Sequence, residues 1–293
     1  MTSKNIGKAL KRKLDDWCAS IGDEAVVKTI KENAIVTGGV LVSMLNSEPP
    51  NDYDIYFKTY ESCLAVARYY ADKWNAESNN GYDKPPVEIK TDEAKRITVF
   101  IRSVGIAAED GENGIDDETE PYVSESEEEQ EQETPKYRPR YFSTNAIALS
   151  DKIQLVIRFY GSIDEIHTNY DFVHCTCSYD YSENKVNLPA RALEAIINKE
   201  LYYCGSKYPL CSIIRTRKFI QRGWSVNAGQ YLKMCLQLND IDLKNLDVFA
   251  DQLAGVDSAY FNQAIRALRE KQGQDPDFKI DNHYLFKIIN KIF

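Results

Sequence analysis

The sequence predicts a mixed α/β chain in two parts. Residues 1–188 form an α+β region built on a mixed sheet with helices. Residues 189–293 form an all-helical domain. Three observations predict this. Up to residue 188, strand-like alternation and helical periodicity take turns. A glycine pair, Gly38-Gly39, stands between a strand signal and a helix signal. From Pro189 onward every periodic segment is helical. At 293 residues the chain fits two domains and buries a core that needs no disulfide or metal staple.

The elements follow in order. Ile6, Leu10, Leu14, Trp17 and Ile21 recur at helical spacing, with Lys and Arg on the opposite face. A second helix covers 24–31. Ala34-Ile35-Val36-Thr37 reads as a short strand that runs into the glycine pair. Val40, Leu41, Met44 and Leu45 then give a short helix, and residues 47–51 a turn. Residues 52–57 alternate: Asp52, Asp54 and Tyr56 on one face, Tyr53, Ile55 and Phe57 on the other. Residues 60–75 read as helix, and 87–90 and 97–102 as strands. Further strands are expected at 146–149 and 153–160, and Ser162 to Glu165 reads as a capping box. Residues 171–177 read as a buried strand. The helical part is expected at 190–200, 212–222, 228–238, 243–253, 258–270 and 281–292.

The net charge of −9 conceals a division. From Ser103 to Pro135 there are 13 acidic residues and no Lys or Arg. The remainder carries 36 basic and 32 acidic residues, a net of +4, so the body of the chain tolerates an anionic substrate. Residues 107–135 are poor in large apolar side chains and lie between two strand regions, so they are expected to form a disordered insertion within a domain. Lys136, Arg138 and Arg140 follow it directly.

No apolar run approaches a membrane span, and the N-terminal stretch has no apolar core of a secretory signal. The seven cysteines are odd in number and scattered, as expected of reduced thiols. A cytoplasmic protein is therefore expected, in the host cytoplasm if the chain is viral, with no membrane partner.

The chemistry concentrates in three places. Backbone N–H groups beside Gly38 and Gly39 can hold phosphate, and glycine permits its close approach. Asp52 and Asp54, one residue apart on a strand, direct two carboxylates the same way, and such hard oxygen pairs suit Mg²⁺ or Mn²⁺. Asp171 supplies a third carboxylate. Three carboxylates on one sheet face can hold two metal ions about 4 Å apart, one activating an attacking hydroxyl and one holding a triphosphate. Asp171 is then also a candidate base.

Ile35-Val-Thr-Gly38-Gly39, a gap of twelve residues, and Asp52-Tyr-Asp54-Ile55 together resemble the signature of the polymerase β nucleotidyltransferase superfamily. Asn169-Tyr-Asp171-Phe172 resembles its third acid. Residues 143–172 and 208–224 also resemble nucleotidyltransferase-like proteins of bacteriophages. The resemblance implies a small mixed sheet, dependence on Mg²⁺ or Mn²⁺, ATP or another nucleoside triphosphate as substrate, and transfer of a nucleoside monophosphate. Many members carry Gly-Ser at the turn, whereas this chain carries Gly38-Gly39 with Ser43 four residues on.

Two other groups bear on chemistry. His174, Cys175 and Cys177 lack the spacing and facing of a zinc site, and His167 and His283 stand isolated. On a helix over 212–222, Arg215 and Lys218 share a stripe opposite Ile213 and Ile220, placing cations where triphosphate or a nucleic-acid backbone can be met. The expected roles are therefore metal binding and catalysis for Asp52, Asp54 and Asp171. Gly38, Gly39, Ser43, Arg215 and Lys218 bind phosphate. The acceptor hydroxyl belongs to an RNA or tRNA end or to a protein side chain. The competing expectation is a catalytically silent binding or structural module of a bacteriophage.

Overall fold

The amphipathic period at the N-terminus becomes α1 (Ser3–Ala19), which buries Ile6, Leu10, Leu14 and Trp17 and is capped by the Thr2 hydroxyl. The computed structural model describes residues 1–78, 85–101, 135–143, 145–243, 245–253 and 273. Asp23 caps α2 (Glu24–Asn33) through the amides of Ala25 and Val26. The next elements are β1 (Ala34–Thr37), α3 (Gly39–Leu45), β2 (Tyr53–Phe57) and α4 (Tyr60–Ser78). The hairpin of β3 (Val87–Thr91) and β4 (Ile97–Ile101) follows. Then come β5 (Pro139–Phe142), β6 (Ala146–Leu149), β7 (Ile153–Tyr160), α5 (Ile163–His167), β8 (Ser178–Asp180) and β9 (Lys185–Asn187). The remaining described helices are α6 (Ala190–Asn198), α7 (Pro209–Gln221), α8 (Ala228–Asn239) and α9 (Leu246–Leu253).

Among the described residues, seven strands form one sheet in the order β5-β6-β7-β2-β1-β8-β9. The sheet is mixed: β2 runs parallel to β7, and β1 is antiparallel to both β2 and β8. Central position explains the composition of β1, whose four residues are all buried. Helices pack on this sheet, α4 against β7, β2 and β5, α1 against β9 and α2 against β1. The Trp17 indole N–H donates to the Tyr70 hydroxyl at 2.7 Å, tying α1 to α4. Trp74 of α4 meets Phe142 of β5 edge-on at 5.2 Å. Gly7 allows α1 to sit against Val186 and Tyr179, since a Cβ there would lie 3.3 Å from the Val186 side chain.

The chain divides into two compact units. The first comprises Met1–Thr168 and Cys175–Ala192, and the second Asn169–His174 and Leu193–Phe293. The sheet belongs to the first unit. In the second, α7 packs against α8 and α9. A cluster of rings, Phe172, His174, Tyr203, Phe219 and Trp224, forms its core.

The structure corrects two expectations. Residues 171–177 are not a strand. Phe172 makes one isolated bridge to Tyr203, Val173–Thr176 is a 3₁₀ turn, and pairing resumes only at β8. A short apolar run has no period that separates a strand from a tight helical turn. Here the aromatic cluster takes Phe172 and His174, while the Cys175 and Cys177 carbonyls accept from the Thr37 hydroxyl. The second correction is the face of α7. Its buried residues are Pro209, Leu210, Cys211, Ser212 and Thr216, and Ile220 is exposed. The chain enters this helix at Pro209, a favoured first-turn residue, and that turn carries much of the buried surface. β5, β8 and β9 have three or four residues each, too few to carry a periodic signal in the sequence. The helices expected at 258–270 and 281–292, and the insertion over 107–134, lie outside the described residues.

Candidate functional site

Two neighbouring strands of the first unit build the site. β1 ends at Thr37, and the backbone then turns at Gly38 with φ +91° and ψ −147°. Such a φ strains any residue with a Cβ, so glycine is required here. Gly39 opens α3, and a Cβ built on it meets nothing within 4 Å. No side chain caps α3. Its first amides are therefore the kind of orphan donors that an anion can satisfy. Ser43 lies half-buried one turn further on.

β2 lies directly beside this turn. The antiparallel register pairs Ala34 with Phe57, Ile35 with Tyr56 and Val36 with Ile55. One further step sets Thr37 across from Asp54. Asp54 is in β2 and Asp52 immediately precedes it, so strand alternation carries both carboxylates to one side of the pleat. Asp52 is exposed and Asp54 half-buried, while Ile55 and Phe57 are fully buried. On its other side, the N-terminal end of β7 supports β2, with Gln154 paired to Asp54. The structure thus brings Gly38, Gly39, Asp52 and Asp54 into one corner of the sheet.

Asp171 belongs to the second unit. Its backbone carbonyl accepts from the Cys204 amide at 2.8 Å, and its buried carboxylate accepts from the Arg215 guanidinium at 2.8 Å. Arg215, expected to meet phosphate, is thus the counter-ion of Asp171. Lys218 is exposed on the same helix. Among the described residues, no group of three or more His, Cys, Asp or Glu side chains is placed to hold a metal ion. No described helix is long and apolar enough to cross a membrane.

One contact was missed by sequence reasoning. His167, expected to be isolated, places Nε2 2.9 Å from the Thr37 hydroxyl oxygen, across 130 residues of chain. That hydroxyl also lies 2.8 Å from the Cys177 carbonyl. Burial holds the His167 imidazole below the usual histidine pKa, with Asp164 opposing that shift. Nothing local in the sequence signals a contact of this length.

Residues 8–199 match the Gabija anti-defense 2 (Gad2) family, about two thirds of the chain. The chain belongs to the Gad2 family. A curated Gad2 relative, the Gabija anti-defense 2 protein of Bacillus phage SPbetaL7, is 19% identical over 284 residues. That alignment takes in 94% of this chain and 56% of the relative, so the chain spans about half the length of the curated protein it matches. Among solved structures, the Gad2 chain is similar to the Bacillus stearothermophilus CCA-adding enzyme in complex with CTP. The TM-score is 0.39 at 13% identity, covering 78% of this chain and 47% of the enzyme. It is similar also to the Thermotoga maritima CCA-adding enzyme complexed with tRNA. There the TM-score is 0.41 at 10% identity, covering 92% and 57%. The fold class of this Gad2 member is mixed α/β, with a helical part following the sheet.

Proposed function

We propose that this Gad2 member is a metal-dependent nucleotidyltransferase that moves a nucleoside monophosphate from a nucleoside triphosphate to an acceptor hydroxyl, on an RNA or tRNA end or a protein side chain. One observation carries the reading. The glycine turn after β1 and the Asp52–Asp54 pair at the start of β2 stand side by side, the two strands being in antiparallel register. The donor set fits Mg²⁺ or Mn²⁺: two hard carboxylate oxygens on one side of a strand, one exposed and one half-buried. When bound, the metal would supply neutralisation of phosphate charge and polarisation of the acceptor hydroxyl. The chain's own residues do the rest. Gly38 and Gly39 hold phosphate oxygens through backbone N–H groups, with Ser43 adding a hydroxyl. Asp52 and Asp54 hold the metal. Asp171 is proposed as third ligand and proton acceptor, with Arg215 as its resting partner. Arg215, once exchanged, and Lys218 meet the triphosphate.

A second reading is favoured by the Asp171–Arg215 pair, which occupies the third carboxylate. In it the Gad2 chain is a catalytically silent module that binds triphosphate or a partner without transfer. Either activity would be directed, as the family description states of its members, against the Gabija defence.

The test is incubation of the purified chain with each α-labelled triphosphate, Mg²⁺ or Mn²⁺, and host RNA and protein, followed by their separation. Label on RNA or protein is expected, and Asp52→Asn with Asp54→Asn should abolish it. A double variant that labels as well as wild type would sink the assignment. Triphosphate binding without transfer would select the silent module. Plating phage on a Gabija-bearing host with each variant then shows whether the same carboxylates serve antidefence.

A further inference from the structure

Thr37 is the last residue of β1 and is fully buried. Its hydroxyl has one proton to give and lone pairs to receive. The Cys177 carbonyl at 2.8 Å and the Cys175 carbonyl at 3.4 Å can only accept, so the hydroxyl proton goes to this carbonyl side. The His167 nitrogen at 2.9 Å must then donate, which fixes the ring as the Nε2–H tautomer. The imidazole is itself firmly placed. It ends α5, whose start is closed by a capping box in which Glu165 accepts from the Ser162 amide at 2.7 Å. α5 directly follows β7, the strand that runs parallel to β2. His167 is thus rooted in one neighbour of the carboxylate strand and bonded to the other.

We infer that His167 is a positioning residue for the site of the first unit, holding the Thr37 hydroxyl, and through it the end of β1, in register with Asp54. Burial keeps the ring neutral at pH 7, consistent with a single donated proton at Nε2. This inference rests on the nucleotidyltransferase reading of Asp52 and Asp54. It adds a residue that touches neither metal nor triphosphate and acts through Thr37.

The experiment joins ¹⁵N NMR of the imidazoles with Mn²⁺–ATP titration of wild type, His167→Ala, His167→Gln and Thr37→Val. His167 signals are assigned by their loss in His167→Gln. The Nε2–H tautomer is expected in wild type. His167→Ala and Thr37→Val should weaken Mn²⁺–ATP binding roughly tenfold, the scale of one lost hydrogen bond. His167→Gln, whose side-chain amide can reach the same position, should restore binding to within about twofold. An Nδ1–H tautomer overturns the inference, as does a Gln variant no better than Ala. Wild-type affinity in His167→Ala overturns it too. Wild type that binds no Mn²⁺–ATP yet retains the Nε2–H signal overturns the nucleotide reading instead and leaves the His167–Thr37 bond standing.

Discussion

The Arg215 guanidinium meets Oδ2 of Asp171 at 2.8 Å, and the carboxylate side chain it meets is 6% exposed against 38% for the arginine. Removing the arginine leaves a buried carboxylate without its charged donor, which costs more than the pair contributes as a whole. Arg215→Met should therefore destabilise the protein by about 1–3 kcal/mol, discounted for the arginine's exposure. Asp171→Asn should cost less, and the double variant should recover part of the loss. A double-mutant cycle in urea measures the coupling. A coupling indistinguishable from zero would mean that the contact is incidental.

His174 gives a prediction in pH. Burial, reinforced by the Arg215 charge, pushes its pKa down to about 3 from 6.5. Between those values the unfolded chain binds a proton that the folded chain refuses, so stability rises with pH across the window and is level above 6.5. Acidification from pH 6.5 should weaken the fold by up to about 1.4 kcal/mol per unit from this residue. His174→Phe keeps a ring in the aromatic cluster and removes the titration. The difference in unfolding free energy between the two proteins should slope with pH below 6.5 and flatten above it. A flat difference throughout would show that His174 charges in the folded state.

The two turn glycines should respond oppositely. Alanine at Gly38, where φ is +91°, should cost about 1–3 kcal/mol through backbone strain. Alanine at Gly39 points into open space and should leave the melting temperature unchanged or slightly raised. If phosphate is held at this turn, Gly39→Ala should nevertheless weaken triphosphate binding, because its methyl group occupies the path of approach. Thermal melts with and without ATP and Mg²⁺ separate the two effects. Equal ligand-induced shifts in Gly39→Ala and wild type would remove the phosphate from this position.

The thiols should react in a graded order. Cys63 and Cys177 are buried and pushed up to about 12 by desolvation, while Cys204 and Cys235 are exposed. Native protein treated with a thiol reagent at pH 8 should label Cys204 and Cys235 rapidly, with Cys63 and Cys177 reacting only after denaturation. Peptide mapping of the modified sites checks this. Fast labelling of Cys177 would show that the backbone beneath Thr37 opens readily.

The readable part of the fold was the part with period or punctuation. β1, Gly38-Gly39, α3 and β2 were legible because three apolar residues and a threonine, two glycines and a clean alternation follow one another within about 25 residues of chain. β6 and β7 were legible from β-branched and apolar runs, and α5 from the Ser162–Glu165 pair. Residues 171–177 misled because Phe172 and His174 are buried by aromatic neighbours from elsewhere in the chain rather than by a sheet. The stripe on α7 misled because Ile213 and Ile220 looked like a core face, whereas packing used Leu210, Cys211 and Thr216. Arg215–Asp171 and His167–Thr37 join residues 44 and 130 positions apart, and no local pattern encodes either pairing.

The strand order has a consequence for how the protein is made. β2 is synthesised early, but its parallel neighbour β7 begins nearly a hundred residues later, and β8, which completes the other flank of β1, later still. Parallel pairing over such a span forms slowly, because chain closure precedes any contact that rewards it. On the ribosome, Asp52 and Asp54 therefore wait on an unfinished sheet until residue 187 has emerged. The nascent chain carries its acids long before it can aim them.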